Sequence, residues 1–214
     1  MAIVQNPVIG RAYGSVGGIV FSKIFGKNTM RSKPLGVKYS KSDTQVIQRN
    51  KFTVAVELGR SILGTIRYGF QQMAVGKSAF NAFISYTTKN ATTVTELEAA
   101  IDYTKIVVAD GTLEGVIGLT ATAVTLNKVD LDWTDNSGQG DALATDISAY
   151  VLLNTTKKEE LTNNIGAVRD AETQSIEVPE EWIGDDVEVY MFFGTVKGDS
   201  VCNSECAGKV VIIA

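Results

Sequence analysis

The chain contains no histidine. Ser-His-Asp and Cys-His catalysis, histidine-ligated zinc and histidine pH switches are thereby excluded, and with them most common hydrolase designs. Cysteine is nearly as scarce, with Cys202 and Cys206 standing alone near the C-terminal end. With three residues between them they either join across a tight loop or stay a thiol pair; without histidine or a second cysteine pair a structural zinc site within one chain lacks ligands, and reduced thiols are the expectation. No apolar run approaches the roughly 18 residues that mark a membrane helix. The opening Met1-Ala-Ile-Val-Gln-Asn-Pro7 has neither a basic n-region nor a long apolar h-region, so no cleaved signal peptide is expected. The 214 residues, 44% of them hydrophobic and 21% charged, read as one or two modest soluble domains.

Acidic residues are missing where basic ones gather. Residues 1–90 hold 13 Lys and Arg against only Asp43 and Glu57, a net charge of +11, whereas residues 91–214 hold 7 against 22, a net charge of −15. So steep a dipole has two uses: the basic half meets a polyanion, or the basic part of one copy meets the acidic part of another.

Residues 1–41 carry Gly10, Gly14, Gly17, Gly18, Gly26 and Gly36 with Pro7 and Pro34, and show no helical period. They read as a Gly-rich extended arm. Within it, residues 18–25 predict a strand, 26–28 a turn and 29–33 a short return strand. A lone two-stranded ribbon is marginal in water and needs another sheet or subunit to lie on. At Ser42-Asp-Thr-Gln45 a capping box opens a long amphipathic helix, whose apolar face is Ile47, Val54, Leu58, Ile62, Ile66, Phe70 and Met73. Gly59, Gly64 and Gly69 weaken it, so packing must hold it. A short helix over 78–86 follows, with Phe80, Phe83 and Ile84 inward, and then a loop over 87–93.

Beyond Glu96 the apolar period shortens to two. Residues 103–109 and 112–119 flank Asp110-Gly111 and predict a hairpin. Further strands are predicted at 123–125, 129–133, 149–153, 174–178, 187–193 and 209–213. Short strands with regular turn signals make an antiparallel β-sandwich, here with Trp133, Trp182 and Tyr190 in its core. The fold class expected is α+β: an extended assembly arm (1–41), a helical middle with the start of a sheet (42–114), and an immunoglobulin-like β-sandwich (115–214).

Candidate chemical motifs reduce to structure. Gly76-Lys77-Ser78 matches the tail of a P-loop, but the position that should hold its first glycine is Gln71 and a helix precedes it, so no nucleotide site is expected. Asp130, Asp132, Asp135 and Asp141 resemble a calcium loop. Counting from Asp130, the sixth position is Asp135 instead of Gly and the twelfth is Asp141 instead of Glu. A solvated acidic loop is the reading, with weak cation binding the alternative. Glu180-Glu181 and Asp185-Asp186, on either side of Trp182, are read as turn residues. No catalytic residue, metal ligand or cofactor is assigned.

The arm itself is the candidate site. Lys23, Lys27, Arg31, Lys33, Lys38 and Lys41 interleave with Phe21, Phe25 and Tyr39. That composition suits phosphate contact with base stacking, and equally suits docking onto an acidic neighbour. Ile19, Phe21, Ile24 and Phe25 ask for a protein surface, so the expected subunit interface is Ile19, Phe21, Lys23, Ile24, Phe25, Lys27, Arg31 and Lys33.

Two resemblances bear on the expectation. Lys128-Val-Asp-Leu-Asp-Trp-Thr-Asp135, Tyr150-Val-Leu-Leu-Asn154 and Pro179-Glu-Glu-Trp-Ile-Gly-Asp-Asp-Val-Glu-Val-Tyr190 together resemble a fibronectin type III or immunoglobulin-like module of the disulfide-free kind. The N-terminal half, with Gly14-Ser-Val-Gly-Gly-Ile-Val-Phe-Ser-Lys23, Arg31-Ser-Lys-Pro34 and Gln48-Arg-Asn-Lys-Phe52, is similar to an uncharacterised family common in Bacteroidota and their phages. That resemblance implies an accessory or virion structural role. The expectation is a non-enzymatic, self-assembling virion component (a tail, collar or head-decoration subunit) assembled in the bacterial host cytoplasm. It would lend its arm to a neighbour by strand addition, form a homo-oligomeric ring or helical tube with other virion proteins, and touch no membrane. The alternative is a nucleic-acid-binding accessory protein that grips phosphates with its basic half.

Overall fold

Branched and aromatic residues gather at Ile19, Val20, Phe21 and Ile24, and the two-residue Phe25-Gly26 link lets the polar stretch 27–32 fold back beside them, which favours paired strands over helix. The computed structural model describes residues 2–3, 13–34, 36, 42–125 and 127–213, and the chain divides into two compact units, Met1–Ser42 and Asp43–Ala214. In the first, β1 (Ala2–Ile3), β2 (Gly14–Val16), β3 (Ile19–Ile24) and β4 (Lys27–Ser32) pair antiparallel in the order β1-β4-β3-β2. The expected extended arm is therefore a small four-stranded sheet. Its hairpin turns at Phe25-Gly26, earlier than predicted, with φ of 47° and 81°. Positive φ at both central residues is what a two-residue type I′ turn requires. Gly10, Lys38, Tyr39 and Lys41 of the predicted arm lie outside the described residues.

The second unit opens with α1 (Asp43–Ser61) and α2 (Leu63–Gly69), so the single long helix expected is divided at Ile62, which sits at φ −95° and ψ 27°. Backbone bonds from Ile62 N to Leu58 O and from Ile66 N to Ile62 O carry the chain across the break. Ile62, Ile66 and Phe70 are buried as predicted, whereas Met73 lies past the helix and is exposed. Next comes α3 (Ala79–Asn90), whose first turn is capped by Ser78 Oγ accepting from Asn81 N at 3.1 Å. It extends to Asn90, taking the first half of the loop predicted over 87–93, and Thr87 and Thr88 are buried in its last turn. The hairpin of β5 (Thr92–Thr95) and β6 (Glu98–Ile101) follows.

The hairpin predicted around Asp110-Gly111 does not form. Residues 106–116 run as an irregular segment, because Ile106, Val108, Ala109 and Leu113 bury in the common core in place of pairing with one another. Asp110 N donates to Gly69 O at 3.0 Å and Gly111 N to Asn203 Oδ1 at 3.1 Å. Gly69 permits this approach: a Cβ there would lie 2.4 Å from Val108 O, whereas one at Gly64 would meet nothing within 4 Å.

Seven strands complete the unit: β7 (Ile117–Val124), β8 (Lys128–Thr134), β9 (Ile147–Asn154), β10 (Glu159–Asn163), β11 (Thr173–Glu177), β12 (Asp186–Gly194) and β13 (Glu205–Val211). They form antiparallel sheets in the orders β11-β8-β7 and β10-β9-β12-β13, an immunoglobulin-like sandwich. Trp133 of β8 meets Phe193 of β12 edge to face with centroids 5.7 Å apart, which fixes the inner faces. The other face of β12 is covered too. Phe192 packs on Tyr68 of α2 at 5.8 Å, and the Tyr190 hydroxyl donates to the Tyr103 carbonyl. With both faces dry, β9 and β12 read as near-continuous apolar runs. The helical stretch and the sandwich, predicted as separate regions, share one core.

Candidate assembly interface

Cross-strand register assigns each predicted interface residue to a face. Ile19 lies opposite Val16 and Ser32, Phe21 opposite Met30, and Lys23 opposite Asn28, all on one side of the N-terminal sheet. Val20, Ser22 and Ile24 lie on the other side with Arg31, Thr29 and Lys27. There Thr29 is buried, and its Oγ1 lies 2.7 Å from Ser22 Oγ. Lys33 follows β4, its amide donating to Gly18 O at 2.8 Å. The eight residues are therefore split between two faces and a tip. Phe25 is the tip, 66% exposed and in the left-handed region at φ 47°. An L side chain there costs about 1–2 kcal/mol, and turns of this type prefer Asn or Asp. Val16, Ile19 and Ile24 are exposed as well. The division of charge follows the division of the fold: Met1–Ser42 holds 7 basic residues and no acidic ones, and Asp43–Ala214 holds 13 against 24.

In the second unit a cavity of about 360 Å³ lies beside the edge strand β10, where α1, β6 and the β9–β10 turn converge. Val54, Leu58, Ile101 and Leu153 give it apolar walls, and Ala99 and Ala100 contribute only methyls, which leaves the space open. Glu57, Glu159 and Glu160 stand around it with Lys158. Glu159 Oε2 accepts from Trp182 Nε1 at 2.7 Å. Burial, reinforced by the charge of Glu159, raises the Glu160 carboxyl above the usual carboxylate range. The apolar face predicted for the first helix thus has two fates: Ile62, Ile66 and Phe70 go into the core, while Val54 and Leu58 stay half-buried beside an unfilled space.

Other candidate residues serve the scaffold. Asp135 accepts from Ser137 N at 2.8 Å and Ser137 Oγ at 3.0 Å, and Asp141 accepts from Glu114 N at 2.8 Å. Among the described residues no three Cys, Asp or Glu side chains converge as a metal site. Gly76 is in a loop at φ 72°, and Ser78 of the same motif caps α3. Asp185 is held below the usual carboxylate range by its bonds to Asn154 and Lys157, and Asp186 pairs with Lys209 at 2.9 Å. Both cysteines are free thiols. Cys202 is buried, its Sγ accepting from Phe193 N at 3.0 Å, and burial pushes its thiol up to about 11. Among the described residues no helix is long and apolar enough to cross a membrane.

One central residue escaped the sequence reading. Arg169 is 0% exposed. It donates to Asp146 Oδ2 from Nε at 3.2 Å and Nη2 at 3.1 Å, to Asn136 Oδ1 at 2.6 Å, and to the carbonyls of Glu114 and Gly115. Its guanidinium also lies 4.1 Å over the Phe193 ring. These bonds pin the irregular 106–116 segment and the acidic loop to the sandwich. Nothing in the local sequence marks it, since its partners are distant in the chain.

Residues 11–208 match the model of a family of unknown function, DUF6266. Among solved structures, the chain is similar to the fn3 domain of the human collagen alpha-1(XX) chain, determined in solution. That likeness covers 48% of this chain and 88% of the other, at 8% identity and a TM-score of 0.37. No curated protein matches the chain.

Proposed function

The chain belongs to DUF6266, a family of unknown function, and from its own surfaces we propose that it is a non-enzymatic, self-assembling structural subunit. One observation carries the reading. The boundary between the two compact units is also the boundary between a wholly basic segment and an acidic body, and the basic segment displays apolar side chains that a small sheet cannot bury by itself. Like charges within each unit oppose side-by-side contact of identical parts, whereas opposite charges favour the sheet of one copy on the body of the next. Such a heterologous contact builds rings or helical tubes. A virion component of the tail, collar or head-decoration kind, assembling in a bacterial host cytoplasm beside other virion proteins, is the role this geometry serves best.

Sedimentation velocity across protein and salt concentration tests it. Self-association that weakens as salt rises is expected, and replacing Lys23, Lys27, Arg31 and Lys33 with Gln should abolish it. A protein that stays monomeric but binds DNA, with a logarithmic salt slope of about 0.9 per phosphate contact, would assign the basic half to nucleic acid instead.

A further inference from the structure

We infer that the cavity between α1, β6 and the β9–β10 turn is the receiving site for the N-terminal sheet of a second copy, and that Phe25 at the hairpin tip is the side chain it takes. The inference rests on the assembly reading above and adds the two surfaces that meet.

Three observations converge on it. The first is the tip itself. A two-residue turn with both φ positive is best served by Asn-Gly, yet here an aromatic holds the first position and projects into solvent. Glu96 shows that such a conformation also serves plain turns; what sets the tip apart is that the residue held there is an exposed aromatic. The second is the cavity, whose volume of about 360 Å³ sits at the lower end of ligand-binding cavities, suited to one large side chain and its neighbour. Val54 and Leu58 continue the apolar face of α1 into that space, so the helix carries more apolar surface than its own unit covers.

The third is charge. Lys23 and Lys27 bracket Ile24, Phe25 and Gly26, so any apolar insertion of the tip brings two ammonium groups to the rim. That rim presents Glu57, Glu159 and Glu160 beside Lys158. Glu160, beside Glu159 and with its carboxyl raised above the usual range, is one of the acidic groups such a cation would meet. Hot spots are anchors seated in desolvated pockets, and complementary charge around such a seat fixes the register of the contact.

The test places the photo-cross-linking residue p-benzoylphenylalanine at position 25 and mixes the unlabelled protein with a uniformly nitrogen-15-labelled copy before irradiation. Cross-linked peptides joining position 25 of one isotopic form to residues 54–61, 99–103 or 153–160 of the other are expected. Inter-copy links to any other surface would overturn the cavity assignment while leaving the assembly reading intact. Links confined within single copies would overturn the second copy as occupant. A protein that never associates would sink both. As an independent check, Lys27→Glu and Glu160→Lys should each weaken association at least about tenfold, because each sets like charge against like at the rim. The double variant carrying both substitutions should regain association, and no recovery in it counts against the pairing.

Discussion

Arg169 carries its charge where no water reaches it, and its value to the fold follows from what would be left behind without it. Removing one partner of a buried ion pair strands the other, so Arg169→Ala should cost about 3–5 kcal/mol in urea unfolding. Replacing both partners with apolar side chains, Arg169→Met with Asp146→Leu, should lose much less, because no orphaned charge remains. Glu188 poses the opposite case. It is 8% exposed, and its Oε2 has no hydrogen-bond partner. Burial raises its carboxyl above the ordinary 4.5, with Lys209 opposing and Asp186 adding to the rise. The folded state therefore holds this proton more tightly than the unfolded one. That contribution is fully present below the unfolded value and is lost as pH rises through the folded value. Glu188→Gln should accordingly raise the Tm at neutral pH and leave it unchanged well below the ordinary 4.5. An equal rise at both pH values would show that ionisation is not the cause.

At the scale of elements, α2 and the hairpin tip offer the sharpest contrasts. Gly64→Ala meets open space and should stabilise by about 0.5–1 kcal/mol through helix propensity. Gly69→Ala would push a methyl onto the Val108 carbonyl and should cost about 1–3 kcal/mol. Thermal melts of the two variants should shift in opposite directions. Phe25→Asn should relax the turn and preserve the N-terminal sheet in circular dichroism, yet weaken association in sedimentation; unchanged association would remove Phe25 from the interface. Which elements were legible follows the same physics. Strands β8, β9, β11 and β12 are within a residue or two of their predicted spans because burial writes alternation or apolar runs into them. Strand β10, Glu-Glu-Leu-Thr-Asn, is an edge with one apolar residue and leaves no such trace. The β5–β6 turn uses Glu96 at φ 58°, a conformation that Glu does not advertise. Asp110-Gly111 misled for a tertiary reason, since Gly69 and Asn203 claim its amides. The candidate interface was legible as composition, basic and apolar without acid, but its distribution over two faces and a strained tip depends on register.

For the whole molecule, the shared core sets what can be cut away. Residues 43–214 should unfold as one cooperative transition in urea. A 115–214 fragment would bare Tyr190 and Phe192, which the 43–114 stretch covers, and should bind hydrophobic dyes without a sharp transition. A fragment that melts as sharply as residues 43–214 would show the sandwich to be self-sufficient. The covering of β12 on both faces also has a consequence in time. This strand, next to last in the chain, is the one against which helices and sandwich both close. At about 5–20 residues per second, a ribosome needs roughly 8–30 s to go from Asp43 to Gly194. The N-terminal sheet, whose strands all lie before residue 33, has its partners at hand within the first seconds, since hairpins close in about 1–10 μs. A nascent chain therefore completes its basic segment well before its acidic body, and in the assembly proposed above the earliest body that sheet could meet on a polysome is one completed by a ribosome ahead of it.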